Sequence, residues 1–285
     1  MISQWHLSDR VLAIDRRPLI MGIVNVTPDS FSDGGRYPAV ETAVAHGLEL
    51  VRQGADILDV GGESTRPGAV PVPVDEELRR VVPVVQALAA QVTVPLSVDT
   101  YKAAVAQACL KAGARIINDV TALTGDVDMP AVARAAGAGV ILMHMEGTPQ
   151  TMQLAPRYED VVRDIGRFFE ERLQAAAVGG IDGQRVVLDP GIGFGKTRTH
   201  NLEILARLEE FQRFGRPVCL GVSRKGFLGR LLADRPVEGR LAASLGALCF
   251  GLSRGAVQVV RVHDVVETRD AVTVFAILKQ MRHGD

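Results

Sequence analysis

Gly54-Ala55-Asp56-Ile57-Leu58-Asp59 has a plan that the chain repeats: a glycine, a short apolar run and a polar residue at its end. Gly113-Ala114-Arg115-Ile116-Ile117-Asn118, Gly139-Val140-Ile141-Leu142-Met143-His144 and Gly255-Ala256-Val257-Gln258-Val259-Val260-Arg261 follow it. Each apolar run reads as a buried strand, and each glycine follows an Ala-rich helical segment that it can end in the left-handed conformation. The remaining apolar runs bring the strands to residues 19–26, 56–60, 95–98, 115–118, 140–144, 186–189, 218–222 and 257–262. Helix-like segments fall between them at 40–53, 75–91, 101–112, 129–136, 158–177, 201–214, 226–253 (broken near Pro236) and 264–281. Strict alternation implies a parallel sheet with right-handed crossovers. Eight such units in 285 residues fit an α/β fold, the (β/α)8 TIM barrel of about 250 residues, with 1–285 as a single catalytic domain. Residues 5–17, with Asp9-Arg10 as a turn, read as a short N-terminal hairpin or cap. A doubly wound open sheet would carry a glycine-rich turn after its first strand, where this chain has Asn25-Val26-Thr27-Pro28-Asp29.

The totals remove several classes of function. An apolar content of 47% and a net charge of −1 describe a globular chain. Its lysines and arginines are scattered among acids and form no basic stripe, so no nucleic-acid partner is expected. Cys109, Cys219 and Cys249 lie far apart in apolar settings, which reads as buried thiols in a reducing compartment. No signal-peptide pattern opens the sequence, and the charge-free run between Arg240 and Arg254 is too short to span a bilayer. The expectation is a cytoplasmic protein without a membrane partner.

Functional groups of a barrel gather where strands end. Those ends present Asn25, Asp59, Asp99, Asn118, His144, Asp189, Ser223 with Lys225, and Arg261 with His263. That is more polarity than capping requires, although Asp59 is expected to bond local backbone and Asp119 reads either as a loop anchor or as a ligand. Asp99, Asn118 and Asp189 suit a flat heterocycle with adjacent N–H donors. Arg66, Arg261 and His263 read as fixed cations around a diphosphate or other polyanion, and Asn25 can place an oxygen on a magnesium ion bridging it. In Asp189-Pro190-Gly191-Ile192-Gly193-Phe194-Gly195-Lys196 the glycines are expected to make room for a ligand and Phe194. A phosphate loop is rejected there, because Pro190 stands where its first glycine belongs. Loops 27–38, 61–74 and 146–157 are longer than connection requires.

Together these motifs resemble the dihydropteroate synthases. The resemblance rests on Asn25-Val26-Thr27-Pro28-Asp29-Ser30-Phe31, Gly61-Gly62-Glu63-Ser64-Thr65-Arg66-Pro67-Gly68, Asp99-Thr100 and Ile117-Asn118-Asp119-Val120. Met143-His144-Met145, Leu188 to Lys196, Ser223-Arg224-Lys225 and Arg261-Val262-His263-Asp264-Val265 complete the set. It covers the chain from about Leu19 to the last helix. Glu146 lies where the family often has a neutral glutamine.

The resemblance implies a transferase of folate biosynthesis that joins 6-hydroxymethyl-7,8-dihydropterin diphosphate to p-aminobenzoate. Asp99, Asn118, Asp189 and Lys225 would hold the pterin. Thr65, Pro67, Phe194 and Ser223 would shape the p-aminobenzoate site. Asn25, Arg66, Arg261 and His263 would hold the diphosphate, with Mg2+ on Asn25. The loops carrying Asp33 and Arg66 would close over the reaction, with Lys225 as a further catalytic group. A homodimer contact through residues 240–254 is also implied. Two rivals share the carboxylate–amide ring: a pterin-binding methyltransferase, which has no need of Arg261, His263 or the Arg66 loop, and a non-catalytic pterin-binding protein.

Overall fold

The computed structural model describes residues 2–26 and 36–283. A hairpin of β1 (Gln4–His6) and β2 (Val11–Ala13) opens the chain. The expected strands follow as β3 (Leu19–Asn25), β4 (Ile57–Gly61), β5 (Leu96–Asp99), β6 (Ile116–Asp119), β7 (Gly139–Met143), β8 (Val186–Asp189), β9 (Cys219–Leu220) and β10 (Val259–Val262). Each pairs in parallel with its neighbour in sequence from β3 to β8; β9 pairs with β10, and β10 returns to β3. Between β8 and β9 a single parallel bridge, Leu188 to Val218, closes the circle, with the Leu188 amide donating to the Pro217 carbonyl at 2.9 Å. The barrel is therefore shut, but its last seam is one bridge wide.

The helices are α1 (Arg36–Gln53), α2 (Val74–Ala89), α3 (Ala103–Ala112), α4 (Met129–Ala136), α5 (Val161–Val178), α6 (Arg198–Ala206), α7 (Gly226–Leu231), α8 (Leu241–Ser253) and α9 (Val265–His283). Helix α2 shows how the outer layer forms: Val81, Val84, Val85 and Leu88 recur at helical spacing and pack with Leu58, Val60 and Val98 of the strands. The expected helix over 201–214 begins earlier, because Thr197 and His200 form a reciprocal cap, and it tightens into a 3-10 turn over Leu208–Phe214. The expected break near Pro236 is present and separates α7 from α8.

Strand alternation divides the barrel interior into layers two residues apart. Leu19, Met21, Ile57, Ile116, Ile141, Val187, Cys219 and Val259 form an apolar floor. The hairpin plugs it from below with Trp5, Leu7 and Ile14. Trp5 is fully buried, and its indole N–H donates to the Arg185 carbonyl at 2.8 Å, just ahead of β8. Gly139 belongs to this plug. The left-handed helix terminator ahead of β7 is Gly137 (φ 57°), and a Cβ on Gly139 would run into Leu7 and Trp5. The other three repeats keep their glycine at positive φ, as expected of terminators.

Candidate active site

Two residues beyond the floor, the same strands turn polar. Ile57 is followed by Asp59, Ile116 by Asn118, Val187 by Asp189 and Val259 by Arg261. A period of two keeps each pair on one face, so a ring of polar side chains stands above the apolar layer at the C-terminal mouth. The register adds Asp99, which lies beside Asn118, and Asn25, which lies beside Gly61.

Asp59 is the hub of this ring and not a bond to local backbone. Fully buried, its Oδ2 accepts from Asn118 Nδ2 at 3.0 Å and from Arg261 Nε at 2.6 Å. Arg261 Nη2 reaches on to Asp99 Oδ2 at 2.7 Å. Two carboxylates thus share one guanidinium. The Arg261 charge, penalised by burial, is held firmly on by Asp59 and Asp99. Burial pushes the Asp99 carboxyl up to about 7 against the pull of Arg261, with Asp59, Glu77 and Asp119 adding to the push. The upward shift of Asp99 and the firm charge on Arg261 pull in opposite senses for one pair. Distances of 2.6 and 2.7 Å favour an ionic trio, in which Asp99 is the carboxyl that burial raises. Asp119, by contrast, is a loop anchor, accepting from the Thr121 amide and hydroxyl and from the Leu123 amide.

Asp189 is buried, and burial raises its carboxyl pKa despite Lys225, Arg261 and a 2.7 Å bond from the Gly191 amide. The expectation for the glycines after it is corrected. Gly191 and Gly195 have φ of 66° and 63°, and a Cβ on either would collide with the backbone of His144 or Glu146. The space a side chain would need there is filled by the loop after β7; Gly191 also borders Lys196 Nζ, and Gly193 borders Lys225. Lys196, given no role by the sequence, is almost wholly buried here and bonds His144 Nδ1 and the carbonyls of His144 and Phe194. Burial drives it down to about 7, and nearby Lys225 adds to the shift. The sequence marks it only as the last residue of the motif that begins at Leu188, because a lysine after glycine otherwise looks like an ordinary loop charge.

Lys225 Nζ lies 4.1 Å from the centre of the Phe194 ring. Burial and Arg261 bring its pKa down to about 8. Ser223 Oγ and His263 Nδ1 are 3.0 Å apart. His263 is not the fixed cation expected of it. Burial first, then Arg261 and Arg224, push it down to about 4, so the imidazole is neutral at neutral pH. Asp99, Asn118, Asp189, Lys225, Phe194, Arg261, Ser223 and His263 are thus brought together. Thr65, Arg66 and Pro67 lie on the loop after β4, where Arg66 and Pro67 are exposed. Asp33 lies outside the described residues. Of the thiols, Cys109 and Cys219 are buried as expected, while Cys249 is only partly so.

The described residues contain no group of three or more His, Cys, Asp or Glu able to hold a metal ion. Asn25, at the end of β3, offers a single amide oxygen at the mouth.

A closed parallel barrel whose mouth carries carboxylate, amide and guanidinium groups above a dry floor has the form of a pterin-binding barrel enzyme. The family described as pterin binding enzyme matches residues 21–263. The chain is 48% identical over 257 residues to the dihydropteroate synthase of Escherichia coli K12, covering 90% of both chains. It is 43% identical over 282 residues to that of Bacillus subtilis 168, covering 98% of this chain and 96% of the relative. A solved dihydropteroate synthase of Xanthomonas albilineans with 4-aminobenzoic acid superposes at a TM-score of 0.91 with 48% identity, covering 98% of this chain and 99% of that one. The same organism's enzyme in complex with 7,8-dihydropteroate gives 0.87 and 46%, covering 97% and 98%. The chain belongs to the dihydropteroate synthase family of pterin-binding enzymes.

Proposed function

We infer that this protein joins 6-hydroxymethyl-7,8-dihydropterin diphosphate to p-aminobenzoate, forming 7,8-dihydropteroate and releasing diphosphate. The observation that carries the reading is the Asp59–Asn118–Arg261–Asp99 network beside Asp189 and Lys225 at the barrel mouth. With Asn118 Nδ2 committed to Asp59, the amide oxygen is left to accept from the pterin edge. Asp189 accepts from the ring N–H and exocyclic amine, and Lys225 donates to the ring carbonyl. Phe194, held under Lys225, and Ser223 border the p-aminobenzoate side, together with Thr65 and Pro67 of the loop.

Bond breaking follows from the substrate. An electron-rich dihydropterin stabilises positive charge at its exocyclic methylene, so the C–O bond opens before the weak arylamine attacks. No covalent enzyme intermediate forms, and the amine nitrogen loses its proton after the C–N bond is made. Arg261 meets the departing diphosphate by exchanging a carboxylate partner for phosphate oxygens, and Arg66 and the neutral imidazole of His263 add donors. Asn25 would hold Mg2+, which supplies charge neutralisation for the leaving group. Closure of the loops bearing Asp33 and Arg66 excludes water.

The test is diphosphate release from the pterin diphosphate with magnesium, with and without p-aminobenzoate. Release coupled to dihydropteroate is expected. Pterin binding without turnover would favour a sequestering protein instead. A methyltransferase reading is disfavoured by Arg261 and His263, which such chemistry does not need.

The protein is further proposed to work as a homodimer in the cytoplasm. Val274, Ile277, Leu278 and Met281 form a stripe on α9 at helical spacing, each more than half exposed, and Phe250 is 47% exposed on the adjoining α8. No helix among the described residues is long and apolar enough to cross a membrane. Ile277→Asp is expected to shift the protein from dimer to monomer in sedimentation; a wild-type monomer at micromolar concentration would rule the dimer out.

A further inference from the structure

The loop after β4 is anchored by a buried charge cluster that the chemistry above does not use. Glu63 Oε2 accepts from the Val72 amide at 2.8 Å, so one carboxylate closes residues 63–72 into a ring. The same oxygen takes Lys102 Nζ at 2.5 Å, and Oε1 takes the Tyr101 hydroxyl at 3.1 Å. Lys102 also pairs with Glu77 on α2. The Glu63 and Glu77 side chains are 7% and 1% exposed. Burial alone would drive the Lys102 proton off, and the two carboxylates outweigh it and hold it on.

Such a cluster is a poor source of stability, because desolvating three charges offsets much of their attraction. Its placement is what stands out. Tyr101 and Lys102 follow directly on Asp99 and Thr100, so the cluster ties the base of the loop to the strand end that carries Asp99. The loop's tip is tied separately: the Gly68 amide donates to the Pro149 carbonyl at 2.9 Å, and Gln150 Nε2 to the Ala69 carbonyl at 3.0 Å.

We propose that Glu63, clasped by Lys102 and Tyr101, is a positioning residue that holds loop 64–72 at the barrel mouth and fixes where Thr65 and Arg66 are presented. The proposal rests on the reading of that loop as part of the p-aminobenzoate and diphosphate sites. Glu63 touches no substrate; it acts through the loop.

The variants are Glu63→Gln, which keeps the shape and removes the charge, Lys102→Met, and the two combined. Hydrogen exchange on the ligand-free protein is expected to quicken for amides 64–72 and not for the barrel strands. In turnover, Glu63→Gln is expected to lower kcat/KM for p-aminobenzoate on the order of 100-fold while the Kd for 6-hydroxymethyl-7,8-dihydropterin stays within about twofold. The double variant is expected to be no worse than the more damaged single one, because the groups act as a unit. Exchange that quickens across the whole barrel, with pterin binding lost in proportion, would make Glu63 merely structural and overturn the proposal. So would a loosened loop with unchanged kcat/KM. If the wild-type protein made no dihydropteroate, the functional reading would fail, and the ordering of the loop by Glu63 would still stand or fall on the exchange data.

Discussion

The floor and the mouth of this barrel are built by the same strands, two residues apart, and they are opposites. Ile57, Ile116, Val187 and Val259 below are dry, packed and sealed by Trp5. Asp59, Asn118, Asp189 and Arg261 above hold buried charge in tension, with one carboxylate oxygen of Asp59 left without a partner among the described residues. Stability is concentrated at one end and chemical potential at the other, and the two are separated by a single strand period of about 7 Å. Substitutions should therefore separate into two kinds, those that unfold the protein and those that silence it.

Trp5→Ala is expected to show the largest effect on the floor side. Removing a wholly buried indole should cost about 3–5 kcal/mol of unfolding free energy in denaturant titration, while KM of the surviving folded protein barely moves. A large KM change with intact stability would break the division. Asp189→Asn is its counterpart. It should lower kcat/KM by about 100- to 1,000-fold, since an amide cannot accept from both pterin donors. Its melting temperature should stay level or rise, because the fold holds that carboxylate against a burial penalty.

A smaller effect sharpens the contrast through pH. His263 titrates at about 4 in the fold and near 6.5 when unfolded, so the unfolded chain binds the extra proton first. The stability it contributes is complete above pH 6.5 and is lost as pH falls through 4, by about 3 kcal/mol. Asp99 acts in the opposite sense: raised to about 7, it favours the fold below pH 4 and gives that up as pH rises through 7. His263→Gln should remove the acid-side loss and leave the Asp99 trend visible in unfolding measured from pH 4 to 8. An unchanged acid limb would show that His263 is not held neutral.

The barrel was legible in the sequence because glycine, apolar run and polar end recur with one meaning, and because period two and period 3.6 alternate along the chain. The ring was legible as a set of residue types at strand ends. Its wiring was not. Asp59 looks like any strand-end aspartate, and its partners Asn118 and Arg261 lie 59 and 202 residues away. Neutral His263 was equally hidden, since a histidine beside an arginine reads as positive charge until burial is known. Gly191 and Gly195 look like space for a ligand because a sequence does not say which backbone comes near, and here it is that of His144 and Glu146. Gly139 escaped for the same reason, as its crowding comes from the hairpin at the other end of the chain.

The lone bridge between Leu188 and Val218 makes the barrel a hoop with one soft joint. Asp189 stands on one side of that joint, and Ser223 and Lys225 follow on the other. A hoop is thinnest at such a joint, and here the joint lies between the Asp189 carboxylate and Lys225. From β3 round to β8 each strand pairs with the next through three or more residues, so a change in the barrel's girth is expected to show first between those two side chains.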